Sequence, residues 1–132
     1  MSEENVEIVR RSLDAFVRED WSALLEGLDA EIEIDDTDIP DADDYRGHEA
    51  FFKWQTRWNE SWASSRMEDI EVLAGREDYV IALFRQVVEG RGSSIELERQ
   101  DAMVCKVRGG KIVRIGYYND QEKARKDAGL PV

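Results

Sequence analysis

Apolar residues near the start of the chain recur every three or four positions: Val6, Val9, Leu13 and Phe16, with Ile8 and Val17 widening the stripe. That spacing predicts an amphipathic helix. Ser2 suits its N-cap, and Glu3 and Glu4 suit the positive end of the helix dipole. Asp20 is placed to cap a second, short helix whose inner side is Trp21, Leu24, Leu25 and Leu28. Glu31 to Asp36 alternates polar and apolar, which predicts a strand. Thr37 to Arg46 holds Pro40 and four aspartates and predicts a loop. A third helix is expected from about Gly47 to Ala63, with Phe51, Trp54, Trp58 and Trp62 on one face.

The pattern then changes period from 3.6 to 2. Strands are predicted over Met67 to Ala74, Tyr79 to Glu89, Ile95 to Val107 and Lys111 to Asn119, joined by turns at Gly75–Asp78, Gly90–Ser93 and Gly109–Gly110. Asp120 can cap a terminal helix that stops before Gly129 and Pro131. Helices followed by an antiparallel meander make the class α+β, as one domain over residues 1–132.

Two strands carry more than packing information. From Ile95 to Val107 the odd positions are Ile, Leu, Arg, Asp, Met, Cys and Val, so Arg99 and Asp101 sit side by side on the more apolar face. Such a pair is either a satisfied internal ion pair or the polar spot of a small-molecule pocket. From Tyr79 to Val88 both faces are mostly apolar, which implies a sheet covered on both sides. The helices can cover one side. A second copy of the chain, seated on Val80, Ala82, Phe84 and Val88, is the expected cover for the other, making a homodimer.

Composition narrows the partners. The net charge of −12 argues against nucleic acid and against anionic membrane surfaces. No apolar run reaches the length of a membrane span, and MSEENVEIVRR is not a signal peptide, so the expected compartment is cytoplasmic. The single cysteine, Cys105, excludes an intrachain disulfide. The acidic loop with Asp36, Asp38, Asp41, Asp43 and Asp44 lacks the spacing and closing Glu of a calcium loop, and no metal or cofactor is expected. His48, the only histidine, has no nucleophile in register for a hydrolase triad.

The segments EENVEIVRRSLDAF, EDWSALLEGLDAEIEIDD, YRGHEAF, VRGGKIVRIGYYND and the terminal DAGL resemble the nuclear transport factor 2-like superfamily, in particular its SnoaL-like, polyketide cyclase-like branch. The resemblance covers nearly the whole chain. It implies a cone: N-terminal helices packed on a strongly curved, mainly antiparallel sheet that encloses a cavity, with dimerisation through the outer sheet face. Fold alone does not decide among the chemistries found there. The resemblance to ketosteroid isomerases places their general base on Asp36 and their oxyanion-stabilising tyrosine on Ser12. The resemblance to limonene-epoxide hydrolases matches their arginine to Arg85, but Val87 and Tyr117 stand where their two aspartates would be. By the same alignment Arg99, Asp101 and Met103 fall on or beside cavity-facing positions.

The sequence therefore predicts a binder of a small hydrophobic molecule with a polar end. Asp36 is the candidate base of a cofactor-free isomerase-, cyclase- or hydratase-type reaction, and Asp101 is the second candidate. Arg85, Arg99, Met103, Tyr117, Trp54 and Trp58 are the expected ligand contacts. Trp54, Trp58 and Trp62 could wall a flat ligand, but a stripe at this spacing is more often core. The competing class is a non-catalytic ligand-binding or dimerising scaffold.

Overall fold

The computed structural model describes residues 2–37 and 45–131. Helix α1 (Ser2–Val17) is followed by α2 (Trp21–Gly27) and strand β1 (Leu28–Asp36). After β2 (Tyr45–Arg46) come α3 (His48–Ser61), β3 (Trp62–Ala74), β4 (Tyr79–Gly90), β5 (Glu96–Arg108), β6 (Lys111–Tyr118) and α4 (Gln121–Asp127). The two expected aspartate caps form: Asp20 accepts from Ala23 N, and Asp120 accepts from Glu122 N and Lys123 N. The Ser2 side chain and the loop aspartates Asp38, Asp41, Asp43 and Asp44 lie outside the described part. Trp62 corrects a boundary. It opens β3 rather than closing α3, because β3 extends five residues further back, to pair with the end of β4.

One curved, unclosed sheet has the order β2-β1-β6-β5-β4-β3. All pairings are antiparallel except β1 with β6. In β3 the register shifts between Glu68 and Glu71, where Asp69 takes a φ of 54°. This is a bulge, a device that bends a strand.

Cross-strand partners share a face, and they settle which side of each strand points where. Ala82 faces Met103, Phe84 faces Asp101 and Gln86 faces Arg99. In turn Met103 faces Tyr117, and Asp36 lies beside Tyr117 across the parallel pair. This is the inner face. Val80, Ala82, Phe84, Cys105, Ile115 and Tyr117 pack there with Val9, Leu24, Phe51 and Trp54 from the helices.

The expected dimer face is thereby corrected. Val80, Ala82 and Phe84 are core residues under the chain's own helices, not a surface awaiting a partner. The outer face carries Ile81, Leu83, Ala102, Val104 and Tyr118, which α4 covers with Ala124 and Ala128. Gly75 lets this helix approach: a Cβ there would stand 2.6 Å from the Ala128 carbonyl oxygen. Further along the outer face the cover is charged. Arg85 reaches Glu68, Asp69 and Glu98, while Arg66 reaches Glu68 and Glu96. Val87 lies buried amid this network. So both faces of β4 are covered within the chain, as their apolarity required, one by the N-terminal helices and α3 and the other by α4 and long charged side chains.

Candidate functional site

Between the helices and the inner sheet face lies a cavity of about 720 Å³. That is within the range of small-molecule sites, roughly 300–1,000 Å³. Its wall is mostly apolar and aromatic. Phe51, Phe52, Trp54 and Trp58 descend from α3, while Ala82, Met103, Cys105 and Tyr117 rise from the sheet. The α3 residues recur at helical spacing, so one face of the helix supplies the aromatic wall. Tyr117 is the hub. Its ring meets Trp54, Trp58 and Phe84 with centroids 5.8–6.0 Å apart, at steep interplanar angles. Trp58 is held in turn by a 3.0 Å bond from its Nε1 to Ser65 Oγ.

Behind this wall sits the charged pair that the strand pattern singled out. Asp101 is 0% exposed. Its Oδ1 accepts from Arg99 Nε at 2.5 Å, and its Oδ2 accepts from Arg99 Nη2 at 2.9 Å and from the Tyr117 hydroxyl at 2.5 Å. Gln121 of α4 donates to the Asp101 carbonyl at 2.9 Å. The fork-to-carboxylate geometry is the strong kind of ion pair. The hydrogen bond to Asp101 raises the Arg99 pKa. The Tyr117 phenol is pushed well above its ordinary value, first by burial and then by the Asp101 charge. It stays a donor at any ordinary pH.

Asp36 ends β1 on the inner face, buried, with Trp54 Nε1 donating to its Oδ2 at 3.2 Å. Cys105 lines the cavity, and burial pushes its thiol up to about 12, so it is protonated and not a nucleophile. His48 Nε2 donates to the Leu28 carbonyl at 2.9 Å and serves to tie α3 to β1. Among the described residues no group of three His, Cys, Asp or Glu side chains converges in a way that could hold a metal ion.

Of the expected ligand contacts, Trp54, Trp58, Met103 and Tyr117 line the cavity. Asp36, Asp101 and Arg99 share the inner face but stand outside the lining. Arg85 is a correction. It is on the outer face, held between Glu68, Asp69 and Glu98, with its pKa raised chiefly by the Glu68 charge. The strand pattern alone missed Gln86 and Ser12. Both are cavity-lining and 6% exposed. Gln86 had a signal: it is the one polar residue in the set Val80, Ala82, Phe84, Gln86, Val88.

The family model described as a SnoaL-like domain matches residues 9–115. Among solved structures, Bal32a from a soil-derived mobile gene cassette is 23% identical, covering 96% of this chain and 97% of its own, with a TM-score of 0.78. A candidate polyketide cyclase from Xanthomonas campestris pv. campestris is 23% identical over 92% of this chain and 94% of its own, with a TM-score of 0.74. TerC, co-crystallised with polyporic acid, is 16% identical over 93% and 96%, with a TM-score of 0.76. At these identities the likeness is one of fold. No curated protein matches the chain.

Proposed function

Because the chain belongs to the SnoaL-like domain family, we propose that it binds a small, largely hydrophobic, flat molecule in the cavity between α3 and the sheet. The observation that carries this reading is the aromatic wall of Trp54, Trp58 and Tyr117 around about 720 Å³ of space. Flat ligands gain both burial and ring contacts there. TerC, crystallised with polyporic acid, offers a precedent within the same fold. The test uses Nile red, a neutral dye that brightens in apolar surroundings. One equivalent should bind and quench tryptophan emission. Met103→Trp, which fills the cavity, should abolish both signals. Dye that binds the filled variant equally well sits elsewhere, and the reading fails.

A catalytic reading rests on one further observation, the buried Asp36 carboxylate beside the aromatic wall with Trp54 Nε1 on one oxygen. A carboxylate in such surroundings can accept a proton from a carbon acid. Asp101, held by Arg99 and by the Tyr117 hydroxyl, is the second candidate. Asp36→Asn would lower turnover by about 10²–10⁴-fold with ligand affinity near wild type if Asp36 is the base. Unchanged turnover would remove Asp36 from the mechanism. No helix among the described residues is long and apolar enough to cross a membrane.

A further inference from the structure

Among the described residues four polar or charged side chains are buried: Ser12, Asp36, Gln86 and Asp101. The two carboxylates are hydrogen-bonded. The Gln86 amide and the Ser12 hydroxyl make no hydrogen bond among the described residues, and both side chains line the cavity. Among the described residues no side-chain nitrogen or oxygen is both fully sealed and without a hydrogen-bond partner. So these two groups open onto the cavity itself. Buried polar groups almost always have partners, and those without a protein partner mark places for water or a ligand.

The charges around the cavity point the same way. Among the described residues, the Asp, Glu, Lys and Arg side chains that line it are Glu19 and Arg66, and both are exposed. Arg66 is already engaged by Glu68 and Glu96. Among the described residues the deep part of the lining therefore offers no counter-ion, and Arg99, opposite Gln86, is engaged by Asp101. An ionised ligand group there would be stripped of water without compensation, which is strongly unfavourable. A neutral oxygen, by contrast, finds a donor-acceptor amide and a hydroxyl that are otherwise unsatisfied.

We propose that Gln86 and Ser12 are the polar anchors of the ligand, and that the ligand is an uncharged aromatic molecule bearing keto or hydroxyl oxygens. This rests on the reading of the cavity as the binding site. It makes Gln86 on β4 and Ser12 on α1 specificity-determining residues, in place of the Arg85 and Arg99 guanidinium groups. Ser12 is further set by its neighbour. A Cβ at Gly27 would stand 2.5 Å from Ser12 Oγ, so glycine there leaves the hydroxyl its position.

The experiment is competition against Nile red on the full chain with three probes: 6-hydroxy-2-acetylnaphthalene, 2-ethylnaphthalene and 2-naphthoate, all at pH 7. Gln86→Leu and Ser12→Ala should each weaken the hydroxy-ketone about tenfold, the worth of one hydrogen bond whose partner would be left buried and unpaired. The hydrocarbon should bind both variants as well as wild type or better. Naphthoate, with the same ring system, should not compete at the concentration where the hydroxy-ketone half-displaces the dye. Gln86→Met replaces Gln86→Leu should the latter fail to fold. Equal losses for ketone and hydrocarbon, or no loss in either variant, overturn the anchors while leaving the cavity reading in place. Naphthoate binding as tightly as the hydroxy-ketone overturns the neutral-ligand inference. If no probe displaces the dye, the cavity reading falls and takes this inference with it.

Discussion

Tyr117→Phe isolates the bond between the aromatic wall and the buried ion pair. The ring, and with it the contacts to Trp54, Trp58 and Phe84, remains. Only the hydroxyl that donates to Asp101 Oδ2 is lost. Asp101 keeps both bonds from Arg99, but one lone pair of a 0% exposed carboxylate is left without a donor. A hydrogen bond to a charged group contributes about 1.5–3 kcal/mol. At an unfolding entropy of about 2 cal/mol/K per residue, this corresponds for a 132-residue chain to a Tm lowered by about 5–10 °C.

The pH dependence adds a signature. The folded Tyr117 phenol is raised above its ordinary 10.0 by burial and by the Asp101 charge. A raised folded pKa means that its stabilisation is complete below pH 10 and is lost as pH climbs beyond it, because the unfolded phenol ionises first. The phenylalanine variant has nothing to lose there. The gap between wild type and variant should therefore be widest near pH 7 and narrow above pH 10. Tyr118, also raised, by burial and by its bond to Asp127, is present in both proteins and cancels. Thermal melts followed by circular dichroism from pH 6 to 11 measure both effects. A Tm unchanged to within about 1 °C at pH 7, or a gap that stays level through pH 11, would refute the reasoning.

Three further outcomes are expected. Phe84→Ala should cost about 3–5 kcal/mol in urea unfolding, because Phe84 is an inner-core residue; a merely exposed position would lose far less. Arg85→Gln should leave the affinity of the Nile red site unchanged and lower Tm slightly, with the difference vanishing in molar salt; a loss of affinity would return Arg85 to the site. Cys105 should resist iodoacetamide in the native protein at pH 8 and react once the chain is unfolded, since burial both hides the thiol and pushes it up to about 12.

Most element types and boundaries were legible, because helix and strand periods are local properties; the two-residue β2, expected as part of a loop, is too short to show a period. The inner face of β5 was legible too, as its polar pair stands out among Leu, Met and Cys. The inner face of β4 was not. Both of its faces are apolar, and the choice between them hangs on the length of one turn. Strand ends at Glu89 and Ile95 leave five connecting residues, which sets odd positions opposite odd and brings Arg85 to the same face as Arg99. The observed pairing sets Glu89 opposite Glu96, with six residues between, and so Gln86 faces Arg99 instead. One residue of register exchanges every side chain between cavity and exterior. The same slip placed Phe84 on the outer face of the sheet. The roofing of Val87 by Arg66, Arg85 and their carboxylates was invisible for a different reason. It joins β3, β4 and β5 through side-chain reach, which no single-strand pattern encodes.

The parallel contact of β1 with β6 has a consequence for how the chain acquires its structure. Thr37, just past β1, bonds the Tyr117 carbonyl across 80 positions of sequence, whereas β3 to β6 are linked by short turns. During synthesis α1, α2 and β1 leave the ribosome about 80 residues before β6, the strand with which β1 pairs in parallel. The early segments must wait with their apolar sides unburied while the meander folds behind them. Closing so long a loop is slow, so the β4–β5 hairpin should nucleate and the β1–β6 seam should form late. Pulse-labelled hydrogen exchange would then protect β4 and β5 before β1. The chain's large negative charge fits that interval, since mutual repulsion keeps half-made copies apart while the seam is still open.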